Sequence, residues 1–242
     1  MKICAIQTQP VTGSIQSNIT RHKQFVQAAI AQHVDVIIFP ELSLTGYEPT
    51  LAKDLAVDMN DHRLDDFQTI SNEQTVTIGV GIPIRTEKGI IIGMIVFQPN
   101  YERSVYAKRY IHPDEEEFFV SGESFPTRII SGKPVALAIC YEISVPAHAE
   151  KALRNGAVAY IASVAKFTNG VDKATQRLSE IAATYHVPVV MSNCIGPADN
   201  GICAGKTSAW SAQGILLGQL DESREGMILL DTETNVAQQI LL

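Results

Sequence analysis

The chain has 242 residues, a formal net charge of −7, and 45% hydrophobic against 19% charged residues. A chain this long can bury most of its apolar surface without a disulfide or structural metal to hold it together. The acidic balance, with no run of Lys or Arg to oppose it, argues against a nucleic-acid or anionic-membrane surface.

At the start, "MKICAIQTQP" turns polar within a few residues, so no basic-then-apolar leader is expected, and no apolar run approaches membrane-spanning length. "KICAIQ" reads as a first strand. From about Ser14 to His33, Ile19, Val26 and Ile30 recur at roughly helical spacing. "VDVIIF" is the next strand, followed by the loop "PELSLTGY" and a polar, Asp-rich segment from Asp54 to Asn72. "VTIGVGIPI" and "GIIIGMIVF" form an antiparallel pair joined by "RTEKG", and "SVYAK" is a shorter strand. "PVALAICY" is nearly all apolar, as a strand buried on both faces requires. A helix opening at Pro146 ends by Gly156. "VAYIASV", a helix from about Val171 to Tyr185, "VPVVMSN" and a set of Gly-punctuated strands complete an α/β chain with mixed strand pairing, expected to form one domain over residues 1–242.

Three features share one grammar, a reactive side chain directly at the end of an apolar strand. They are Glu41 after "VIIFP", Lys108 after "SVYA" and Cys140 after "VALAI". Loops at strand ends are where a rigid sheet can hold a site. A thiol is a strong nucleophile once deprotonated, although a free cysteine is more often a small buried hydrophobe. Cys4, Cys194 and Cys203 stay with that second reading. The four cysteines show no CxxC spacing, which points to free thiols, a reducing compartment and the cytoplasm, with no metal site. A carboxylate held at the edge of a core, as Glu41 is, has its pKa raised by desolvation and can exchange protons near neutrality. Lys108 also fits a solvated surface lysine. The acidic run Asp114 to Glu117 fits a solvated loop, yet it leads into Phe118 and Phe119, so one of its carboxylates can turn inward.

Together these pieces resemble the nitrilase superfamily, the carbon–nitrogen hydrolases with a Glu–Lys–Cys triad. "FPELSLTGY" looks like the family's Pro-Glu element and places the general base at Glu41. "YAKRYIHPDEEEFFVSG" is similar to the segment carrying the lysine, here Lys108, and "ICYEISVP" resembles the nucleophile segment at Cys140. Weaker similarity runs on through "GAVAYIASVAKF", "VPVVMSNCIG" and "GKTSAWSAQGILLG", so the resemblance covers Lys2 to about Leu220.

The resemblance implies a four-layer α-β-β-α sandwich and self-association as a homodimer. It implies hydrolysis of a small amide through a cysteine thioester, with no metal or organic cofactor, and leaves nitriles and N-carbamoyl amides as alternative substrates. Glu115 is the choice for the family's second glutamate, with Glu116 left open. The backbone N–H of Tyr141 is the expected oxyanion donor, and Tyr47, Ala165, Phe167 and Asn193 are expected to line the pocket. The chain departs from the pattern in two places. Where several relatives that bind substrate carboxylates carry an Arg, it has Glu142, Ile143, Ser144 and Val145, which disfavours carboxylate-bearing substrates unless Arg109 or Lys166 supplies the charge. The family's Pro-Glu reads Pro146-Ala147-His148. Two other readings stay open, a Cys–His hydrolase using His112, His148 or His186, and a catalytically silent binding or assembly module.

Overall fold

The computed structural model describes residues 1–242. Fifteen strands and five α-helices follow one another along the chain. The first strand, β1 (Lys2–Gln7), buries every residue but Lys2. Helix α1 (Ile15–Ile30) follows, and its buried Ile15, Ile19, His22, Phe25, Val26 and Ala29 recur every three or four positions, a stripe that one face of a helix presents to a sheet. Strand β2 (Val36–Ile38) is shorter than the apolar run that predicts it, because Pro40 two residues on ends the pairing.

Helices α2 (Ala52–Leu55) and α3 (Asp65–Gln74) lie in the Asp-rich segment. Periodicity did not reveal α3, since only Phe67 and Ser71 of its ten residues are buried. The expected hairpin is present as β3 (Thr77–Thr86) and β4 (Gly89–Phe97), paired antiparallel from Ile78↔Phe97 to Thr86↔Gly89. Next come β5 (Ser104–Ala107), β6 (Thr127–Ile130), β7 (Lys133–Ile139), α4 (Pro146–Leu153), β8 (Tyr160–Val164), α5 (Val171–Tyr185) and β9 (Val189–Asn193). The final strands are β10 (Ile195–Ala198), β11 (Gly201–Ala204), β12 (Ser208–Trp210), β13 (Leu216–Gln219), β14 (Gly226–Asp231) and β15 (Val236–Leu241).

These strands form a seven-stranded sheet in the order β15-β14-β1-β2-β3-β4-β5, a six-stranded sheet in the order β13-β12-β9-β8-β7-β6, and the two-stranded β10-β11 ribbon. The largest apolar cluster joins inward residues of both sheets, such as Ile38, Met94 and Tyr106 from one and Leu137, Ile161 and Val190 from the other. Because side chains alternate across a strand, the opposite face of the seven-stranded sheet carries Cys4, Ile6, Ile37 and Ile78, which pack under α1 and α3 with Phe25 and Phe67. Helices α4 and α5 cover the outer face of the six-stranded sheet. The result is the four-layer α-β-β-α sandwich that the resemblance implied.

One close approach positions the loop after β2. A Cβ at Gly81 of β3 would stand 2.5 Å from both the Leu42 amide nitrogen and the Pro40 carbonyl oxygen. Those are backbone atoms with little freedom to yield, and they flank Glu41. His22 braces the loop from the other side, stacked on Phe39 at 3.9 Å with Nε2 2.9 Å from Ser43 Oγ. Gly81→Ala is therefore expected to cost about 1–3 kcal/mol, read as a lowered urea midpoint, in the range for overpacked cores. A midpoint equal to that of the unsubstituted protein would show that the loop moves freely.

Candidate active site

Each of the three strand-end side chains arrives from a different strand. Glu41 follows β2 through Phe39 and Pro40, and the Leu44 amide donates to the Gly81 carbonyl at 3.0 Å to hold the loop against β3. Lys108 follows β5, its amide donating to Ile92 of β4 at 2.9 Å and its carbonyl accepting from Gly122 at 2.7 Å. Cys140 opens a 3₁₀ turn, Cys140–Ser144, directly after β7. The structure brings all three together with a fourth residue, Glu115, which lies on the turn Pro113–Glu115. It turns inward while Glu116 and Glu117 stay exposed, so Glu115 is the second glutamate of the cluster.

Lys108 is the hub. Its Nζ donates to Glu41 Oε1 at 2.8 Å and to both Glu115 oxygens at 2.8 Å. Glu115 also accepts from the Tyr47 hydroxyl at 2.8 Å and from the His112 amide at 2.8 Å. Glu41 is placed differently, because its Oε2 is buried without a hydrogen-bond partner. The carboxylates divide accordingly. Burial works against ionising either one, but Lys108 and two further donors, the His112 amide and the Tyr47 hydroxyl, hold Glu115 below its ordinary value. Burial raises Glu41, reinforced by the charge of Glu115 and only partly offset by Lys108. For Lys108, burial is outweighed by the two carboxylates, and its pKa is raised. The lysine stays protonated, and Glu41 is the carboxylate best suited to take and give a proton.

Cys140 stands beside this cluster. Its backbone is left-handed, with φ of +41°, a conformation that non-glycine residues adopt at a cost and that aims the side chain out of the strand direction. Burial pushes its thiol up to about 11, helped by the nearby Glu41 charge and opposed by Lys166 and Lys108. Tyr141 is the second residue of the turn, where amides have no acceptor within the turn itself. None of the three histidines bonds Cys140. His112 packs edge-on to Tyr141 with ring centroids 5.0 Å apart, His186 caps α5, and His148 is buried in a separate network.

That network is the largest feature the sequence did not disclose. The Glu142 carboxylate is fully buried and accepts from the Ile139 amide at 2.9 Å, the Arg109 amide at 2.7 Å, and the Tyr106 hydroxyl at 2.6 Å. His148 Nε2 lies 2.9 Å from Tyr106 Oη, and its Nδ1 lies 3.2 Å from Tyr160 Oη. One carboxylate therefore ties the residue before the cysteine to the residue after the lysine. The "CYE" tripeptide shows an acidic residue but not its partners Arg109 and Tyr106, which lie 33 and 36 positions away.

A cleft of about 540 Å³ opens over the cluster. Tyr47, Ala165 and Phe167 line it, together with Cys140, Tyr141, Glu115, His112, Phe118 and Lys166. Asn193 does not line it, contrary to expectation. It is fully buried behind the wall, where its side chain accepts from the Lys166 amide at 2.8 Å and donates to the Lys166 and Gly205 carbonyls at 3.1 and 2.7 Å. Cys194 and Cys203 also find a companion that the sequence did not show, each other, with sulfurs 2.8 Å apart beneath Tyr47 and Phe167. No group of three His, Cys, Asp or Glu side chains is arranged to hold a metal ion, and no helix is long and apolar enough to cross a membrane.

The chain is similar to known proteins over almost all of its length. It is 26% identical to a glutamine-dependent NAD(+) synthetase of Thermotoga maritima, matching 98% of this chain but 43% of that one, so the chain spans about two fifths of the length of such relatives. It is 24% identical to an (R)-stereoselective amidase of a Pseudomonas species, over 84% of this chain and 74% of the other. Among solved structures, Saccharomyces cerevisiae Nit3 superposes with a TM-score of 0.86 at 19% identity, covering 95% of this chain and 88% of Nit3. An amidase from Nesterenkonia sp. AN1, with acrylamide added at its active-site cysteine, superposes with a TM-score of 0.85 at 20% identity, covering 96% and 92%. The carbon-nitrogen hydrolase family model matches residues 2–240. With a nitrilase-type sandwich and a match over nearly its whole length, the chain belongs to the carbon–nitrogen hydrolase family.

Proposed function

We propose that this chain hydrolyses the C–N bond of a small primary amide through a thioester on Cys140, releasing ammonia and a carboxylic acid. The observation that carries the reading is the buried Glu41–Lys108–Glu115 cluster set against a left-handed cysteine on the cleft floor. In the first step Glu41 Oε2 takes the thiol proton as sulfur bonds to the amide carbon. The negative charge that develops on the carbonyl oxygen is met by the Lys108 ammonium and the Tyr141 N–H, donors already in place before reaction. Each such donor is worth about 3 kcal/mol of barrier. The tetrahedral species collapses as Glu41 returns the proton to nitrogen, the C–N bond breaks, and ammonia leaves. Water then adds to the thioester with Glu41 as base, and the C–S bond breaks to restore the thiol and give the acid. Glu115 keeps Lys108 charged and in place throughout. The names carried by relatives, amidase for one and glutamine-dependent synthetase for another, agree with an amide substrate.

Three outcomes are expected. Ammonia release across a panel of amides, carbamoyl compounds and nitriles should vanish in Cys140→Ala and fall by about 10²–10⁴ in Glu41→Gln, the range for losing a general base. Full activity in Glu41→Gln with loss on substituting a histidine would instead establish a Cys–His enzyme. The acid limb of kcat/KM should lie above the ordinary carboxylate value of 4.5, because Glu41 is raised and must be ionised to accept the thiol proton. Activity should therefore fall as pH drops through that raised value, and a limb at 4.5 or below would remove Glu41 as the base. Glu142→Gln places an amide NH₂ against backbone donors, so kcat should drop by about tenfold or more while KM changes little, with a lowered melting temperature from the lost charge-assisted bonds. A variant of lowered stability but unchanged kcat would confine Glu142 to holding the fold.

A further inference from the structure

Three of the four cysteines take no part in the chemistry above, and two of them touch. Cys194 follows β9 and Cys203 lies in β11, with their sulfurs 2.8 Å apart. Cys4 is placed otherwise, in the cluster under α1 with its sulfur 3.5 Å from that of Met227. The Gly205 amide donates to the Cys194 carbonyl at 2.9 Å. Cys194 therefore stands opposite Gly205, and Cys203 lies two residues along the facing strand, so both side chains share one face of the ribbon. With Ala165 and Ala198 they form a small apolar cluster apart from both main cores, and Tyr47 and Phe167 of the cleft lining pack against it. Strand β11 also holds the cleft wall by its backbone. Cys203 pairs with Phe167, the Thr168 amide donates to the Ile202 carbonyl at 3.1 Å, and the Ala204 amide donates to the Lys166 carbonyl at 2.9 Å. Asn193, directly before Cys194, grips the amide and carbonyl of Lys166 from the β9 side.

We infer that Cys194 and Cys203 are a modification site, a dithiol that hydrogen peroxide closes reversibly to a disulfide, and that the closed form stiffens the cleft wall from Lys166 to Thr168. The inference goes beyond the amide-hydrolase reading and does not depend on it. A disulfide holds its sulfurs at about 2.05 Å, so closure asks only a small approach of two side chains that already touch. Ala165 and Phe167 stand between the pair and the cleft, which is the side from which a molecule little larger than water arrives. In the first step one sulfur bonds to a peroxide oxygen, the O–O bond breaks, and the departing hydroxide takes the thiol proton to become water. The second sulfur then bonds to the first, the S–O bond breaks, and a second water carries off the remaining thiol proton. Both sulfurs are oxidised and the peroxide is reduced. Two exchanges with a small thiol restore both S–H bonds and release that thiol's own disulfide. The hydrogen bond to Cys203 and burial both raise the Cys194 thiol, so the pair reacts through openings of the ribbon and not as a standing thiolate. Once formed, the bond joins the end of β9 to β11, the two segments that hold Lys166, and leaves Cys140 untouched.

The test uses the full chain carrying Cys140→Ala, which retains three thiols, treated with hydrogen peroxide in steps up to the dose at which methionine begins to oxidise. The thiol count after unfolding should fall from three to one, with a loss of two hydrogens in intact mass and a peptide linking Cys194 to Cys203 in a non-reducing digest. Dithiothreitol should return all three thiols. In hydrogen exchange the Thr168 and Ala204 amides should slow by about fivefold or more on oxidation, because the opening that frees them is then restrained. Adding Cys203→Ser should abolish both the link and the slowing. Three thiols persisting to the highest dose overturn the inference, as does a link that includes Cys4, oxygen added at Cys194 or Cys203 without a link, or a link that dithiothreitol does not reverse. A Cys194–Cys203 link with unchanged exchange at Thr168 and Ala204 overturns the stiffening of the wall. No readout depends on turnover, so absence of ammonia release counts against the hydrolase reading alone.

Discussion

The Lys108 ammonium is shared by Glu41 and Glu115, with all three removed from water. Two buried carboxylates and one cation leave a charge imbalance that low-dielectric surroundings penalise, and the penalty falls on whichever carboxylate has fewer donors. Glu115 has Tyr47, the His112 amide and two contacts to Lys108, whereas Glu41 has one contact and an oxygen left bare. The asymmetry of hydrogen bonding lowers the pKa of one glutamate and leaves that of the other raised. Removing Lys108 would leave both carboxylates without a counter-ion, so the lysine is a condition of folding this region.

The scaffold supplies that arrangement from two sheets. Glu41 and Lys108 come from strands of the seven-stranded sheet, and Cys140 comes from the six-stranded one. Their relative position therefore depends on how the sheets face each other, a packing determined by many apolar contacts and tolerant of small sliding. Glu142 removes that freedom locally. It reaches from the cysteine turn to the Arg109 amide, and so fixes one sheet's loop to the other's by charge-assisted bonds. His148, Tyr106 and Tyr160 are buried and hydrogen-bonded around Glu142.

Much of this was legible in the residues because the reactive groups follow apolar runs. "VIIFP", "SVYA" and "VALAI" each mark a strand by composition, and whatever stands at the end of a buried strand is held at the edge of the core. Strand and helix positions set by strong periodicity, such as β1 and α5, match the expected spans closely. Helix α3 did not show, since a helix that buries two residues of ten has no apolar stripe to read. The inward turn of Glu115 rather than Glu116 depends on a single 3₁₀ turn and was open until the backbone was known. Asn193 was misplaced for a related reason. A polar residue at a strand end can face the cleft or brace the wall behind it, and only its three partners decide.

The order in which the strands pair bears on how the chain is made. Strand β1, the most N-terminal of the fifteen, lies between β2 and β14, matching Lys2 with Asp231 and Gln7 with Gly226. Gln7 further donates to the carbonyls of Asp221 and Arg224 at 2.8 Å each. On the ribosome, β1 can find β2 early but must leave its other edge open while some 200 further residues emerge, an edge of the kind that invites pairing between chains. The cysteine and lysine are translated long before that edge closes, so a nascent chain can hold every reactive side chain of the cluster while its larger sheet is still unfinished.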